Sequence, residues 1–189
     1  MQFSPAVVEE FTKAFEKVSG VAHVARSSAD IPEIVRKVAA ERNAKCVALA
    51  NLPEEISKSI SGVFDSDVEC LGEPYDTAAL PGTIDRANVG VTGIAFGIPQ
   101  TGTLVEIATN DAVRLVSALP RTHVGVVHAS DLVAHYEDAA PRVRALFNEN
   151  PANCVVSFLS GPSRTGDIEL KLQLGVHGPE SAHAIIVLQ

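Results

Sequence analysis

The chain has 189 residues, 46% of them apolar, a size that suits one compact domain able to bury a core without disulfides or a structural metal. Fifteen Lys and Arg (15) stand against 23 Asp and Glu, and a net charge of −8 with no basic cluster argues against nucleic acid as a partner.

Ser4-Pro5 ahead of Val7, Val8, Phe11, Ala14, Phe15 and Val18 predicts an amphipathic helix over 4–19, with Ser4 as cap, Pro5 at the first helical position and Gly20 as stop. This helix reads as an appendage to a single domain spanning 1–189. Its charged residues leave no apolar leader, and no apolar run approaches a membrane-spanning length, so a cytoplasmic protein without membrane insertion is expected. VAHVA (21–25) predicts a short strand, and Ser28 caps a helix through Ile31, Ile34, Val35, Val38 and Ala39. CVALA (46–50), ISKSI (56–60) and VECL (68–71) continue the alternation of buried runs and helical pattern, which predicts crossover units feeding a mainly parallel sheet. GEPYDTAALPGTI (72–84) has turn residues and no period, and we place a soft internal boundary there, near residue 82.

The second half opens on VGVTGIAFGIPQTGTLVEIA, in which glycines at 90, 93, 97 and 102 break two apolar runs, as in strands joined by tight turns. RLVSALP predicts a short helix and HVGVV a buried strand. DLVAHYEDAAPRVRALFN is one helical region or two, and CVVSFLS and HAIIVLQ are further buried strands. Cys46, Cys70 and Cys154 lie far apart with no C-x-x-C pair, and they read as free thiols of a reducing compartment.

Two stretches carry candidate chemistry. In IPQTGTLVEI, Gly102 permits positive φ while Gln100, Thr101 and Thr103 supply an amide and hydroxyls, so the turn suits an anion or carboxylate. A plain hairpin turn explains it equally well. In SGPSRTGDIELKLQLGVHGP (160–179), Ser163, Arg164 and Thr165 follow a buried strand, where open α/β sheets put ligand loops. Asp167 and Glu169, two apart, share a face on which they hold Arg164 or orient a ligand hydroxyl. A polar turn with a structural ion pair stands beside that reading. His177, in G-V-H-G-P, is placed either to exchange a proton near neutrality or to serve the turn.

Asn110-Asp111 caps a helix carrying Arg114, a carboxylate clamp or, taken alone, a solvated side chain. No G-x-G-x-x-G or G-x-x-x-x-G-K-[ST] occurs, so NAD and ATP lose support. His123 and His128, five apart in a strand, point to opposite faces, and no metal site is expected. There is no G-x-S-x-G elbow and no local activator beside any cysteine, so the catalytic residues stay unknown.

VGVTGIAFGIPQTGTLVEIATNDAVRLVSALPRTHVGVV together with SGPSRTGDIELKLQLGVHGP resembles the LUD-domain family, most closely its lactate-utilisation protein C branch. The match is clearest from about Val89 onward. The resemblance implies a three-layer αβα sandwich similar to sugar-phosphate isomerases and coenzyme A transferases, and a part in oxidising L-lactate to pyruvate. It also implies iron-sulfur partner proteins that carry the clusters, this chain having no redox centre of its own, since three scattered cysteines do not supply the four thiolates of a cluster. The ligand-binding set expected on this basis is Gln100, Thr101, Gly102 and Thr103 facing Ser163, Arg164, Thr165, Asp167 and Glu169 across one cleft, with His177 nearby and a small carboxylate as ligand. Where the family usually has glutamate, this chain has Gln100, which accepts hydrogen bonds but is neither base nor carboxylate nucleophile. The alternatives are a free-standing isomerase or acyl-transferase and a regulatory carboxylate-binding module.

Overall fold

The computed structural model describes residues 4–165 and 173–189. In chain order the elements are α1 (Pro5–Lys17), β1 (Val21–Ala25), α2 (Ile31–Glu41), β2 (Cys46–Ala50), α3 (Glu54–Ser61), β3 (Glu69–Leu71), α4 (Gly82–Asp85), β4 (Val89–Gly93), β5 (Phe96–Ile98) and β6 (Thr103–Ala108). There follow α5 (Asp111–Ala118), β7 (Thr122–His128), α6 (Ala139–Glu149), β8 (Val155–Leu159), β9 (Arg164–Thr165), β10 (Gln173–Leu174) and β11 (Ser181–Val187).

Six strands form a parallel sheet in the order β1-β11-β7-β4-β2-β3. Its inner strands carry the unbroken apolar runs: every residue of β2 and β11 is buried, as a strand covered on both faces requires. On one face α2 and α3 bring Val35, Val38 and Ile60 against Val47, Val91, Val124 and Ile185. On the other, α5 seats Val113 and Val116 on Ala48 and Ala50, while Phe11 and Phe15 of α1 pack against Val127, Ala184 and Ile186. The two phenyl rings stack 5.7 Å apart at 15° and are fully buried. Each removes apolar area worth about 2–3 kcal/mol from water, so α1 is part of the core. These layers make the α/β three-layer sandwich expected from the alternating pattern.

The run 89–108 divides between two sheets. Its first strand, β4, lies in the parallel sheet, while β5 and β6 form a hairpin that pairs with β8 in a small antiparallel sheet, β5-β6-β8. That sheet packs over the same face as α1 and α5. Leu104 points to the large sheet, whereas Val105 and Phe96 point outward to Ala139, Val143 and Leu146 of α6. Hydropathy alone did not reveal this second sheet, because β5 and β6 are buried on both sides just as the inner strands of the first are.

Helix boundaries shift slightly. Ser27 and Asp30 bracket a single turn ahead of α2, with the Asp30 carboxylate accepting from the amides of Arg26 (2.8 Å) and Ser27 (3.1 Å). The region 131–148 resolves into short turns and one α-helix from Ala139. Among the described residues no helix is long and apolar enough to cross a membrane.

Candidate functional site

The turn at 99–102 and the loop after β8 both rest on α1 and its exit. Gly102 has φ 58°, and a side chain there would collide with the backbone of Ala14 and Phe15. Gly161, at φ 80°, meets the Val18 carbonyl in the same way. The first helix therefore holds two loops that are almost sixty residues apart in sequence.

Three hydroxyls join them. Thr101 Oγ1 lies 2.7 Å from Thr103 Oγ1, which lies 2.7 Å from Ser160 Oγ. Thr103 is buried between the exposed Thr101 and Ser160, so the chain reaches solvent at both ends. Gln100 turns the other way: its exposed side chain accepts from the Tyr136 amide at 2.8 Å, a contact that a carboxylate would make equally well.

Ser163 organises the second loop. Its amide donates to Pro179 O (2.8 Å), its carbonyl accepts from Gly175 N (3.0 Å), and its hydroxyl accepts from His177 N (3.2 Å). The ribbon β9–β10 pairs Arg164 with Leu174 and Thr165 with Gln173. Arg164 and His177 are exposed. The structure thus links Thr101, Gly102 and Thr103 to the loop through Ser160, and gathers Ser163, Arg164, Thr165 and His177 in one ribbon. Asp167 and Glu169 lie outside the described residues. Arg114 is half-buried and pairs with Asp111.

Beneath the loop is a small cavity of about 30 Å³, lined by Gly161, Pro179, His123, Ser117, Phe15 and Leu104. Its size is that of a bound water. It opens onto a buried polar cluster that sequence reading passed over. Glu106 is fully buried between the two sheets. One carboxylate oxygen accepts from Ser117 Oγ at 2.8 Å, and the other has no hydrogen-bond partner among the described residues. The Thr92 hydroxyl lies near this carboxylate and 2.8 Å from His123 Nε2. Burial pushes Glu106 above the usual carboxylate range against the pull of the Ser117 and Thr92 hydroxyls. Burial, aided by His183, pulls His123 down to about 4, so the ring is neutral at pH 7.

This arrangement can hold a proton: a raised carboxyl shares a buried cluster with the Ser117 and Thr92 hydroxyls and a neutral imidazole. A sequence signal was present. In TLVEIA the glutamate interrupts a run whose every residue is buried, and a lone charge inside such a run needs partners. His123 was weighed only for a metal pair; it is buried on one face of the sheet while His128 is exposed at the strand end. Among the described residues no three His, Cys, Asp or Glu side chains converge as for a metal ion.

A second polar cluster lies across the same sheet, under the end of α2. Arg42 donates to Ser181 Oγ (2.7 Å), which contacts His183 Nε2 (3.0 Å), whose Nδ1 lies 3.0 Å from His23 Nε2. Burial first, then His23 and Arg42, lower His183 to about 4.

The LUD domain model matches residues 8–187. The chain is similar to lactate utilization protein C of Shouchella clausii, 37% identical over 116 residues, which cover 60% of this chain and 51% of that protein. To the protein of the same name from Bacillus subtilis it is 36% identical over 108 residues, 54% of this chain and 43% of that one. The chain spans about half the length of the curated relatives it matches. Among solved structures it resembles a DUF162 family protein from Deinococcus radiodurans, with a TM-score of 0.68 and 24% identity over 96% of each chain, a likeness of fold. With the family model matched along nearly all of its length and this three-layer architecture, the chain belongs to the LUD domain family.

Proposed function

We propose that this chain is a subunit that supports the oxidation of L-lactate to pyruvate, acting with iron-sulfur proteins and carrying no redox centre of its own. The observation that carries this reading is its 37% identity to lactate utilization protein C of Shouchella clausii. Its thiols fit the division of labour. Burial pushes Cys46 and Cys70 above the ordinary thiol range, away from the thiolate form that ligates iron. An apolar groove between α6 and β8, with Tyr136, Phe147 and Phe158 half exposed, is the kind of surface that a subunit covers.

In this reading the exposed Arg164 guanidinium faces a carboxylate, of lactate or of a partner, at the mouth of the loop, and the Glu106–Thr92–His123 cluster fixes the wall behind it. The test is reconstitution: the tagged chain is used as bait in a lysate, and the eluate is analysed for iron and for lactate oxidation. Iron-bearing partners with lactate activity that disappears when this chain is omitted are expected, with Arg164→Ala lowering activity at least tenfold. A purified chain that turns over a sugar phosphate or acyl thioester by itself overturns the subunit reading.

A further inference from the structure

A second, much larger concavity lies away from both loops. It is a cleft of about 1230 Å³ at the carboxyl ends of β2 and β3, closed by α3 and by the first residues of α5. It shares no lining residue with the small cavity at His123. The sheet order explains its place. From β2 the chain goes out through α3 to β3, then returns to β4 on the other side of β2, and the helices that follow β2 and β4 cover opposite faces. The chain thus leaves β2 and β4 in opposite directions along the sheet, and the cleft lies beside that point, at the carboxyl ends of β2 and β3, where open α/β sheets take their ligands.

The lining defines the ligand. Leu49, Leu52 and Leu80 make an apolar floor suited to a flat ring. The rim is rich in acceptors. Glu73 is held by two neutral donors, the Asn51 amide at 2.7 Å on one oxygen and Asn110 Nδ2 at 3.2 Å on the other, so its carboxylate is fixed in direction and keeps lone pairs for further donors. The rim lysine, Lys58, is engaged 2.5 Å from Glu54. Glu54 is paired with Lys58 and Asp111 with Arg114, so among the described residues Glu73 is the lining carboxylate held only by neutral donors; its charge disfavours a phosphate or carboxylate beside it, and the volume of the cleft far exceeds that of a small hydroxy acid. A fixed carboxylate beside an apolar floor recognises adjacent hydroxyls on a ring-bearing molecule.

We infer that this cleft binds a neutral, ring-bearing polyol of the nucleoside class, the ring on Leu49 and Leu52 and a vicinal diol on Glu73. The site is independent of the lactate reading, and either stands without the other. Titration calorimetry on the purified chain tests it, with adenosine, 2′-deoxyadenosine, adenosine 5′-monophosphate and L-lactate as probes. Adenosine is expected to saturate one site, 2′-deoxyadenosine to bind at least tenfold more weakly, and the monophosphate more weakly than adenosine. Glu73→Gln is expected to abolish the preference for the diol, and Ser57→Trp, which fills the cleft without touching Glu73, to abolish binding by a chain whose circular dichroism is unchanged. Absence of adenosine binding at millimolar concentration overturns the inference. So does tighter binding of the monophosphate, or binding by Ser57→Trp equal to that of the parent chain. Lactate heat that persists in Ser57→Trp belongs to another site.

Discussion

Two buried polar clusters sit back to back on the parallel sheet and are built differently. Under α2, Arg42, Ser181, His183 and His23 form a line that starts at an exposed guanidinium and ends at a half-buried imidazole. Arginine only donates, so a consistent proton order runs outward to inward, with Ser181 donating to a neutral His183 that donates to His23. Between the sheets, Glu106, Ser117, Thr92 and His123 are all buried, and one carboxylate oxygen is left without a partner. The first cluster has solvent at its ends and can exchange with it, whereas the second is sealed. An unmade hydrogen bond is therefore expensive only in the second, and strain of that kind marks functional sites more often than structural ones.

Acid gives the largest contrast. His123 and His183 are depressed from about 6.5 in the unfolded chain to about 4, so the unfolded chain binds more protons between those values. Stability is accordingly intact above pH 6.5 and falls as pH drops towards 4, by about 3 kcal/mol per histidine at 1.36 kcal/mol per unit. His23, depressed by burial, adds in the same direction. Glu106, raised by burial, works oppositely: its contribution is present at low pH and is lost as pH rises past the unfolded carboxyl value. Urea unfolding at pH 7 and pH 4.5 measures the net slope, and His123→Gln or His183→Gln is expected to flatten it. A parent chain equally stable at both pH values would contradict the buried, neutral assignment.

Removing single donors separates the clusters further. Ser117→Ala leaves a second orphaned oxygen on Glu106 and is expected to cost about 1–3 kcal/mol. Adding Glu106→Leu should recover most of that, because the buried acid that needed the donor is gone. If the two substitutions simply add, Ser117 is not serving Glu106. Ser181→Ala in the open cluster is expected to cost about 1 kcal/mol, since Arg42 keeps water as a partner. The smallest effect belongs to the loop surface: Arg164→Ala should change unfolding free energy by less than about 0.5 kcal/mol while lowering lactate oxidation in the reconstituted system. Equal losses of stability and activity would make Arg164 a structural residue.

The sequence by itself determined which segments become layers. CVALA, HVGVV and HAIIVLQ read as buried strands from their short length and β-branched content, and the spacing of Val8, Phe11 and Phe15 as a helix with one wet face, because burial on two faces or on one favours those patterns. It also marked the Gly102 turn, since glycine matches the backbone needed there, whereas the positive φ of Gly161 emerged only in the structure. What only the tertiary structure decided was adjacency. That β6 leaves the first sheet and carries Glu106 against Ser117, that Thr103 meets Ser160, that α1 seats both loops, and that α3 and the start of α5 frame a cleft beyond β2 and β3 all depend on which buried surfaces face one another. Hydropathy gives every buried strand the same signature whichever sheet it joins, so long-range pairing has no local mark in the chain.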